Sequence, residues 1–387
     1  MREPDAKFSS VVVAGCGVTS AVGRGVSALR DALRANSSGL RASEKFSNPR
    51  FQSNIVGAAD QTDSDDPAWQ LADVSLTEAR EIAREILSNI SPERIGLVLS
   101  TTKANIEALE RISENRPCSE SAQRHLRGDL LAADLAAAHG ARGPVQCVSV
   151  ACVSGLIAIQ QGAKWIQRGK ADAVFVVGVD HLSAFVVSGF TSLKAIDPVG
   201  CRPFDKDRCG LSPGEAGAAI VLVRADLASA NAIKISGWGT SNDANHLTGP
   251  SRDGSGLALA IRSALKTANL KPEEIDYVNA HGTGTPYNDA MESQALHAVF
   301  GNECPPFSGI KGMLGHTLGA AGVVETIACV IAMQGKFLPG TPGLNVPAEG
   351  VPTSIVREPR SASKMKNILK LNTGFGGVNG AIILSHE

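Results

Sequence analysis

The sequence predicts an α/β fold built from two related halves, and three ordered matches along the chain support this. IKISGWG at 233–239 resembles VVVAGCG at 11–17, AIRSALKTA at 260–268 resembles ALRDALRA at 28–35, and LKPEEIDYVNAHGTGT at 270–285 resembles ISPERIGLVLSTT at 90–102. Each copy combines strand-like apolar runs with helical spacing. Because the matches keep their order, we interpret them as an internal duplication with halves at 1–230 and 231–387.

The first elements follow from local signals. The apolar run at 11–13 before AGCG predicts a short strand that runs into a Gly turn, and helical spacing starts at Val26. The interval from Gly17 to Pro92 is 75 residues long, whereas that from Gly239 to Pro272 is 33, a difference of 42. We expect this excess in the first half to cap a surface or a site.

Two later segments predict buried elements. The continuous apolar run at 173–179 is typical of a parallel strand covered on both faces. Before it, Leu156, Ile159 and Ile166 recur at helical spacing, and this helix stops near Gly169. The segment 323–333 predicts a second, largely buried helix. No linker rich in Pro, Gly or Ser separates the halves, so we expect them to share one body.

Composition excludes several classes of protein. The 387 residues carry a net charge of −1 and only 4% aromatic side chains, which argues against a nucleic-acid binder. No apolar run approaches the roughly 20 residues of a membrane span, and the polar N-terminus does not resemble a signal peptide. The eight cysteines are scattered without a CxxC motif and indicate reduced thiols. We therefore expect a cytoplasmic protein.

Cys152 is the first candidate for chemistry. It ends the run VSVAC, and Ser154 and Gly155 open the helix that follows. A thiol at a helix N-terminus is exposed to the positive end of the helix dipole, which lowers its pKa and favours the thiolate. The alternative is a buried structural cysteine, the commoner role for a single thiol.

Two histidines and a lysine are the next candidates. His281 ends a predicted strand before a Gly/Thr-rich turn, where α/β folds place function. Asp289 and Glu292 follow, on the next predicted helix. Lys311 and His316 lie in GIKGMLGHTLGAAG, where small residues leave room for a ligand. A turn histidine and a solvated surface lysine remain the alternatives.

Two loops complete the candidate set. LNTGFGGVNG at 371–380 precedes the last predicted strand, and its backbone N–H groups suit an oxyanion; Phe375 stands in its middle. A plain hairpin turn is the alternative. CRPFDKDRCGLSPGEAGAAIVL at 201–222 places basic residues before a Gly-rich strand entry, which predicts a loop that shapes the site mouth and meets an acidic partner.

Taken together, these motifs resemble a known family. ACVSG, HGTGT, KxxxGH and GFGGVN occur in the order found in β-ketoacyl-acyl-carrier-protein synthases of the I/II type, and RPFDKDR is similar to a segment of that family. Each motif alone is weak, but the ordered set is specific and covers the chain from about Val11 to Ser385. The resemblance implies the thiolase fold, a duplicated five-layered α/β/α/β/α arrangement, which agrees with the duplication.

The resemblance also implies a reaction, a decarboxylative Claisen condensation. An acyl chain moves from its carrier protein to Cys152, and a malonyl carrier thioester then loses CO₂ and attacks it. His281 and His316 would stabilise the enolate, and Lys311 would organise the histidines, paired with Glu292. The backbone N–H groups of Cys152 and Phe375 would bind the oxyanion, and Phe375 would gate malonyl entry. No cofactor and no metal are expected.

Partners follow from the same resemblance. An acidic acyl carrier protein would meet basic residues at the pocket mouth, with Arg202, Lys206 and Arg208 as candidates. Family members form dimers, so we expect a homodimer or a heterodimer with a related subunit, with no nucleic acid and no membrane. Two departures, Val153 after the nucleophile and TTKANIEAL after Ser100, indicate a divergent synthase for fatty acids or for a specialised polyketide or polyene.

Several alternatives remain open. A degradative thiolase would need a second, C-terminal cysteine, and type III condensing enzymes pair one histidine with asparagine. A non-catalytic, chain-length-setting subunit of a heterodimer usually lacks the nucleophile, whereas Cys152, His281 and His316 are all present. The same three residues have the ligand types of a zinc site, without the close spacing of a structural one. A Cys–His hydrolase would need neither a second histidine nor Lys311.

Overall fold

The computed structural model describes residues 10–60 and 64–386. The helices are α1 Val26–Ala35, α2 Pro67–Ile82, α3 Arg84–Leu87, α4 Ile106–Ser113, α5 Glu120–Arg124, α6 Gly128–Ala138, α7 Ser154–Gln167, α8 Ala184–Ser192, α9 Ser255–Ala268, α10 Pro286–Phe300, α11 Lys311–Leu314 and α12 Ala321–Gly335. The strands are β1 Val11–Ser20, β2 Gly23–Arg24, β3 Arg41–Ala42, β4 Ile55–Val56, β5 Ile95–Ser100, β6 Val145–Val148, β7 Ala173–Asp180, β8 Ala216–Arg224, β9 Lys234–Asn242, β10 Tyr277–Asn279, β11 Phe307–Ser308, β12 Phe337–Leu338, β13 Arg360–Ser361, β14 Asn367–Gly374 and β15 Val378–Ser385.

The main sheet repeats one strand order in its two parts. Its order is β11-β10-β14-β15-β9-β1-β8-β7-β5-β6, so β6-β5-β7-β8-β1 is matched by β11-β10-β14-β15-β9. In each part the outer strands pair in parallel and the inner ones antiparallel. The parts meet through the single pair of Val12 with Lys234. The predicted duplicated α/β fold is confirmed.

Helices cover both parts of the sheet on both faces. The helices α7 and α12 lie between the two parts, since α7 contacts β7 and β15 and α12 contacts β8 and β14. On the outside, α2 packs on β1 and β8, and α9 packs on β9 and β15. These are the five layers that the family resemblance implies. The predicted buried strand is β7, every residue of which is buried; it is parallel to β5, as expected, but antiparallel to β8.

The two central helices cross at a pair of glycines. A Cβ added to Gly155 in α7 would lie 2.8 Å from the Cα of Gly322, and one added to Gly322 in α12 would lie 2.5 Å from the backbone nitrogen of Leu156. Neither position has room for a side chain. This close approach brings the start of α7, beside Cys152, to the start of α12, just after His316.

Two expectations about the first half were wrong. The strand at 11–13 does not turn at its glycines; β1 continues through them to Ser20. Gly17 is needed because a Cβ there would lie 2.0 Å from the carbonyl oxygen of Ser75 in α2. Gly239 approaches Ala260 of α9 in the same way. The counterpart of α9 is therefore α2 and not α1, and the additional segment of the first half lies before α2.

One apolar segment is longer than any run expected from the sequence. Leu318–Gly335, which contains α12, has 18 residues with a mean hydropathy of 1.6, long and apolar enough to cross a membrane. However, 89% of it is buried inside the protein, because it lies between the two parts of the sheet. The predicted buried helix at 323–333 is part of this segment. Its apolar character is explained by the core.

Candidate active site

The sequence around Cys152 folds into a sharp turn between β6 and α7. Ala151 has a φ of 46°, an unfavourable conformation for a residue with a Cβ. Ser154 stabilises this turn, because its hydroxyl donates to the carbonyl of Ala151 at 2.6 Å and accepts from the N–H of Val150 at 2.7 Å. The turn holds Cys152 partly exposed just before the helix, as predicted.

The thiol of Cys152 contacts a histidine directly. Its Sγ lies 3.0 Å from Nε2 of His316. Burial raises the pKa of Cys152 to about 12, although the charge of Lys311 opposes this rise. The expected lowering of the thiol pKa at the helix N-terminus was therefore wrong: enclosure of the sulfur outweighs the nearby positive charge. The resting nucleophile is a thiol.

His281 follows β10 and is fixed by two hydrogen-bond donors. Its Nδ1 lies 2.8 Å from Nδ2 of Asn372 and 3.1 Å from Nζ of Lys311. A lysine ammonium can only donate, so Nδ1 accepts and Nε2 carries the ring proton. Burial, reinforced by the charge of Lys311, places the pKa of His281 well below its usual value. The ring is neutral at pH 7 and is an Nε2–H donor.

His316 has the same tautomer for a different reason. The backbone N–H of Leu318 donates to its Nδ1 at 3.2 Å, which leaves the proton on Nε2, beside the sulfur of Cys152. Burial also lowers the pKa of His316 well below its usual value. The two histidine rings are edge to face, with centroids 5.2 Å apart. Two neutral imidazoles therefore present N–H groups beside one thiol.

The backbone of His316 is held by the segment 201–222. The N–H of His316 donates to the carbonyl of Ser212 at 2.7 Å, and the N–H of Gly214 donates to the carbonyl of His316 at 3.0 Å. These residues belong to the first half of the chain. The segment that we expected to shape the mouth of the site thus also positions a histidine from the other half.

Lys311 organises His281 but does not pair with Glu292, so that part of the prediction was wrong. Its Nζ lies 2.5 Å from Oε1 of Glu325 and donates to the carbonyl of His281 at 2.7 Å. Glu292 instead accepts the backbone N–H groups of His281 at 2.6 Å and Gly282 at 2.9 Å. Burial raises the pKa of Glu292 to about 7. Glu292 stabilises the turn after β10, and Lys311 pairs with Glu325 instead.

Sequence reasoning missed three buried polar residues next to His281: Glu325, Lys370 and Asn372. Oε2 of Glu325 lies 2.8 Å from Nζ of Lys370 and 3.1 Å from Nδ2 of Asn372. Burial alone would raise the pKa of Glu325, but Lys311 and Lys370 hold it below its usual value. A signal existed: Glu325 is a lone acid in an apolar helix and Lys370 a lone cation in an apolar strand, and buried charges need partners.

A cavity of about 470 Å³ opens onto Cys152, His281 and His316. Phe375, on the loop between β14 and β15, lines its wall and is 41% exposed. Its ring lies 6.1 Å from that of Phe190 in α8. The loop is a hairpin turn between β14 and β15, and it lies close to the nucleophile, since a Cβ on Gly374 would lie 3.2 Å from the backbone nitrogen of Cys152.

The three basic candidates for carrier docking differ in their surroundings. Arg202 pairs with Asp197 at 3.1 Å and also donates to the carbonyl of Asp207. Arg208 donates to the carbonyl of Asp205, and its side chain is only 10% exposed. Lys206 is exposed. The two arginines therefore have structural partners within the chain, and Lys206 is the freest of the three to meet another protein.

The cluster of Cys152, His281 and His316 has donor atoms within 4.8 Å of one another, as a metal site requires. Its surroundings suit a metal poorly. A metal-bound histidine usually donates its other ring N–H to an acceptor. Here the other nitrogens accept from Lys311, Asn372 and the backbone of Leu318, so each proton lies on the nitrogen that a metal would need.

Comparison with known proteins agrees with this geometry. The profile of the beta-ketoacyl synthase N-terminal domain matches residues 8–228, and that of the C-terminal domain matches residues 233–345. The chain is 32% identical to a putative polyketide beta-ketoacyl synthase 1 of Streptomyces halstedii, over 97% of each chain. It is also 32% identical to 3-oxoacyl-[acyl-carrier-protein] synthase 2 of Vibrio cholerae, over 96% of this chain and 98% of that protein.

The fold is shared with solved ketosynthases. The structure of the ishigamide ketosynthase/chain length factor superposes with a TM-score of 0.90 and 29% identity, over 98% of this chain and 100% of that one. The fold, the order of the motifs and the profile matches to both halves of the sequence all indicate the same family. The chain therefore belongs to the β-ketoacyl synthase family, the acyltransferases of the thiolase superfamily that condense carrier-bound acyl groups.

Proposed function

We propose that Cys152 of this 3-oxoacyl synthase accepts an acyl group and that His281 and His316 then drive condensation with a malonyl carrier thioester. The observation that carries this assignment is the 3.0 Å contact between Sγ of Cys152 and Nε2 of His316, with His281 edge to face beside it. A thiol, two neutral N–H donors and a cavity that reaches them are the parts that the two steps require.

In the first step, the sulfur of Cys152 attacks the carbonyl carbon of the acyl-carrier thioester. The tetrahedral oxyanion meets the backbone N–H groups of Cys152 and Phe375, and its collapse breaks the bond to the carrier sulfur. The proton of the Cys152 thiol passes to that departing sulfur, so no net charge is created. Because burial raises the thiol pKa to about 12, the resting sulfur keeps its proton at neutral pH and loses it in the course of this step.

In the second step, a malonyl carrier thioester occupies the same cavity. Its carboxylate leaves as CO₂, and the electron pair of the broken bond enters a thioester enolate whose oxygen accepts Nε2–H bonds from His281 and His316. The enolate carbon then attacks the Cys152 thioester, forming a carbon–carbon bond and releasing the Cys152 thiolate. That thiolate takes one proton from solvent. The product is a 3-oxoacyl carrier thioester two carbons longer.

Partners and location complete the proposal. We assign the acyl carrier protein as partner, with Lys206 as its basic contact, and a second copy or a related ketosynthase subunit as the other half of a dimer. The division into halves at 230/231, the absence of a metal or cofactor requirement, and a cytoplasmic location belong to the same proposal. The burial of Leu318–Gly335 supports a protein that works outside the membrane.

A second candidate is a chain-length-setting subunit, since the ishigamide ketosynthase was solved as a ketosynthase/chain length factor. The test is intact-protein mass after mixing the chain with acyl-carrier thioesters, beside Cys152→Ala. We expect an acyl adduct on the wild type alone, discharged by malonyl carrier into a longer 3-oxo product. No adduct, even after co-expression with related ketosynthase subunits, would overturn the catalytic assignment in favour of this second candidate.

A further inference from the structure

We propose that Asn372 is the principal positioning residue of His281, holding its proton on Nε2 for condensation. This inference rests on the proposed function, because it concerns the state in which His281 meets the enolate. Asn372 lies in β14 and is completely buried.

Distances rank the two donors on His281. Nδ1 has one lone pair in the ring plane, and two groups point at it. Nδ2 of Asn372 lies at 2.8 Å, whereas Nζ of Lys311 lies at 3.1 Å. Lys311 also donates to the carbonyl of His281 at 2.7 Å and to Oε1 of Glu325 at 2.5 Å. The amide is therefore the closer donor, and the lysine is shared among three acceptors.

The orientation of the Asn372 amide is determined by its other contact. Its Nδ2 lies 3.1 Å from Oε2 of Glu325. If the amide were rotated by half a turn, its oxygen would face a carboxylate, which is repulsive. Glu325 stays ionised because two lysines flank it, so it always draws the NH₂ side of the amide toward itself. The amide must then also present a donor to His281.

Lys370 makes this arrangement possible. Its Nζ lies 2.8 Å from Oε2 of Glu325 and is fully buried. It also lies within hydrogen-bond distance of the carbonyls of Asn279 and Ala280, just before His281. With Lys311 on Oε1 and Lys370 on Oε2, both oxygens of Glu325 are occupied by cations. Lys370 thus fixes Glu325, Glu325 fixes the amide of Asn372, and that amide fixes the ring of His281.

The sharpest test compares two substitutions at one position. Asn372→Leu removes the donor at similar volume and leaves Lys311 to hold the ring, so the ratio of condensation to Cys152 acylation should fall about tenfold. Asn372→Asp places an acceptor against Nδ1, which moves the ring proton there and removes the Nε2–H donor. Its ratio should fall about a hundredfold, the usual loss for one oxyanion donor.

The matched control is Asn105→Asp, which also introduces a buried carboxylate but lies outside the active site, where Nδ2 of Asn105 donates to the carbonyls of Asp65 and Ala122. We expect it to keep the wild-type ratio. Acylation is read by intact mass and condensation by 3-oxo product, and melting curves report folding. The proposal would be overturned if Asn372→Asp lost acylation and condensation equally, or if it kept the wild-type ratio of condensation to acylation. If Asn372→Asp does not fold, an unchanged ratio in Asn372→Leu would overturn the proposal instead.

The same data separate this inference from the proposed function. If wild-type protein acylates Cys152 and condenses, the function stands and only the ratio in the variants judges Asn372. If wild-type protein does neither, the assignment of Cys152 fails first. A kcat loss in Asn372→Asp at unchanged KM for malonyl carrier would place the effect on the chemical step, as positioning of His281 requires.

Discussion

At the scale of single residues, the site uses neutral groups where the sequence suggested charged ones. The thiol of Cys152 is protonated because burial outweighs the positive charge of Lys311, whereas His281 and His316 are neutral donors because burial and that charge both lower their pKa. Lys311 and Lys370 both form ion pairs with Glu325. The chemistry therefore depends on where protons are held and not on a preformed thiolate–imidazolium pair.

The first prediction concerns the reactivity of the thiol. Alkylation of Cys152 by iodoacetamide should accelerate continuously as pH rises past 9, because burial raises its pKa to about 12. The rate is measured by intact mass, with Cys152→Ala as the control for other thiols such as the exposed Cys209. A plateau near neutral pH would show a stabilised thiolate and contradict this expectation.

The second prediction separates the histidines from the nucleophile. His281→Ala and His316→Ala should retain part of the acyl loading but lose condensation by about a hundredfold or more, since each removes one N–H donor to the enolate. Cys152→Ala should abolish loading. Loading is followed by mass and condensation by product; normal product from either histidine variant would refute the assigned roles.

At this scale, the sequence predicted only those site residues that lie in the recognisable motifs. Cys152, His281, His316 and Lys311 converge as expected, because each stands in a recognisable turn. The partner of Lys311 could not be read from spacing: Glu292 follows His281 closely in sequence, whereas Glu325 reaches Lys311 only because α12 passes beneath the site. Burial of the thiol depends likewise on the packing of both halves.

At the scale of elements, the crossing of α7 and α12 brings Cys152 and His316 together. Its two glycines allow backbone contact, and the next turn of each helix carries apolar side chains of the core. The buried strand at 173–179 and the buried helices were predictable from their apolar residues, whereas the strand order was not predicted. The equivalence of α2 and α9 was not predictable either, because α1 and α9 share helical spacing and only packing on the sheet distinguishes them.

The third prediction tests the crossing. Gly322→Ala should lower the free energy of unfolding by about 1–3 kcal/mol, as overpacking does, and reduce Cys152 acylation, because the added Cβ would lie 2.5 Å from the nitrogen of Leu156. Urea unfolding measures the change. Gly189→Ala in α8 is the control: no atom lies within 4 Å of its Cβ, so it should be neutral or stabilising. Equal stability of both variants would argue against a tight crossing.

At the scale of the whole molecule, buried histidines make the fold sensitive to acid. Burial lowers the pKa of His181, His281 and His316 well below 6.5. The unfolded chain binds these protons first as pH falls below about 6.5, so their contribution to stability is complete above that pH and is lost below it. His125, whose pKa is raised beside Asp66, and Glu292, whose pKa burial raises to about 7, act in the opposite direction.

The fourth prediction follows from that balance. The melting temperature should fall between pH 7.5 and pH 5.5, and His181→Asn should show a smaller fall, because one neutral buried imidazole is gone. Differential scanning calorimetry measures both. His246→Asn is the control, since His246 is exposed and should leave the pH dependence as in the wild type. A pH dependence equal in all three proteins would exclude His181 as a contributor.

The meeting of α7 and α12 also bears on how such a site could arise. These helices follow β6 and β11, the equivalent edge strands of the two parts, and Gly155 and Gly322 face each other where the helices cross. Cys152 precedes one helix and His316 the other. In a symmetric pair of identical halves, every residue before one helix would recur before the other. Fusion into one chain breaks that symmetry, and nucleophile and proton donor can then diverge independently.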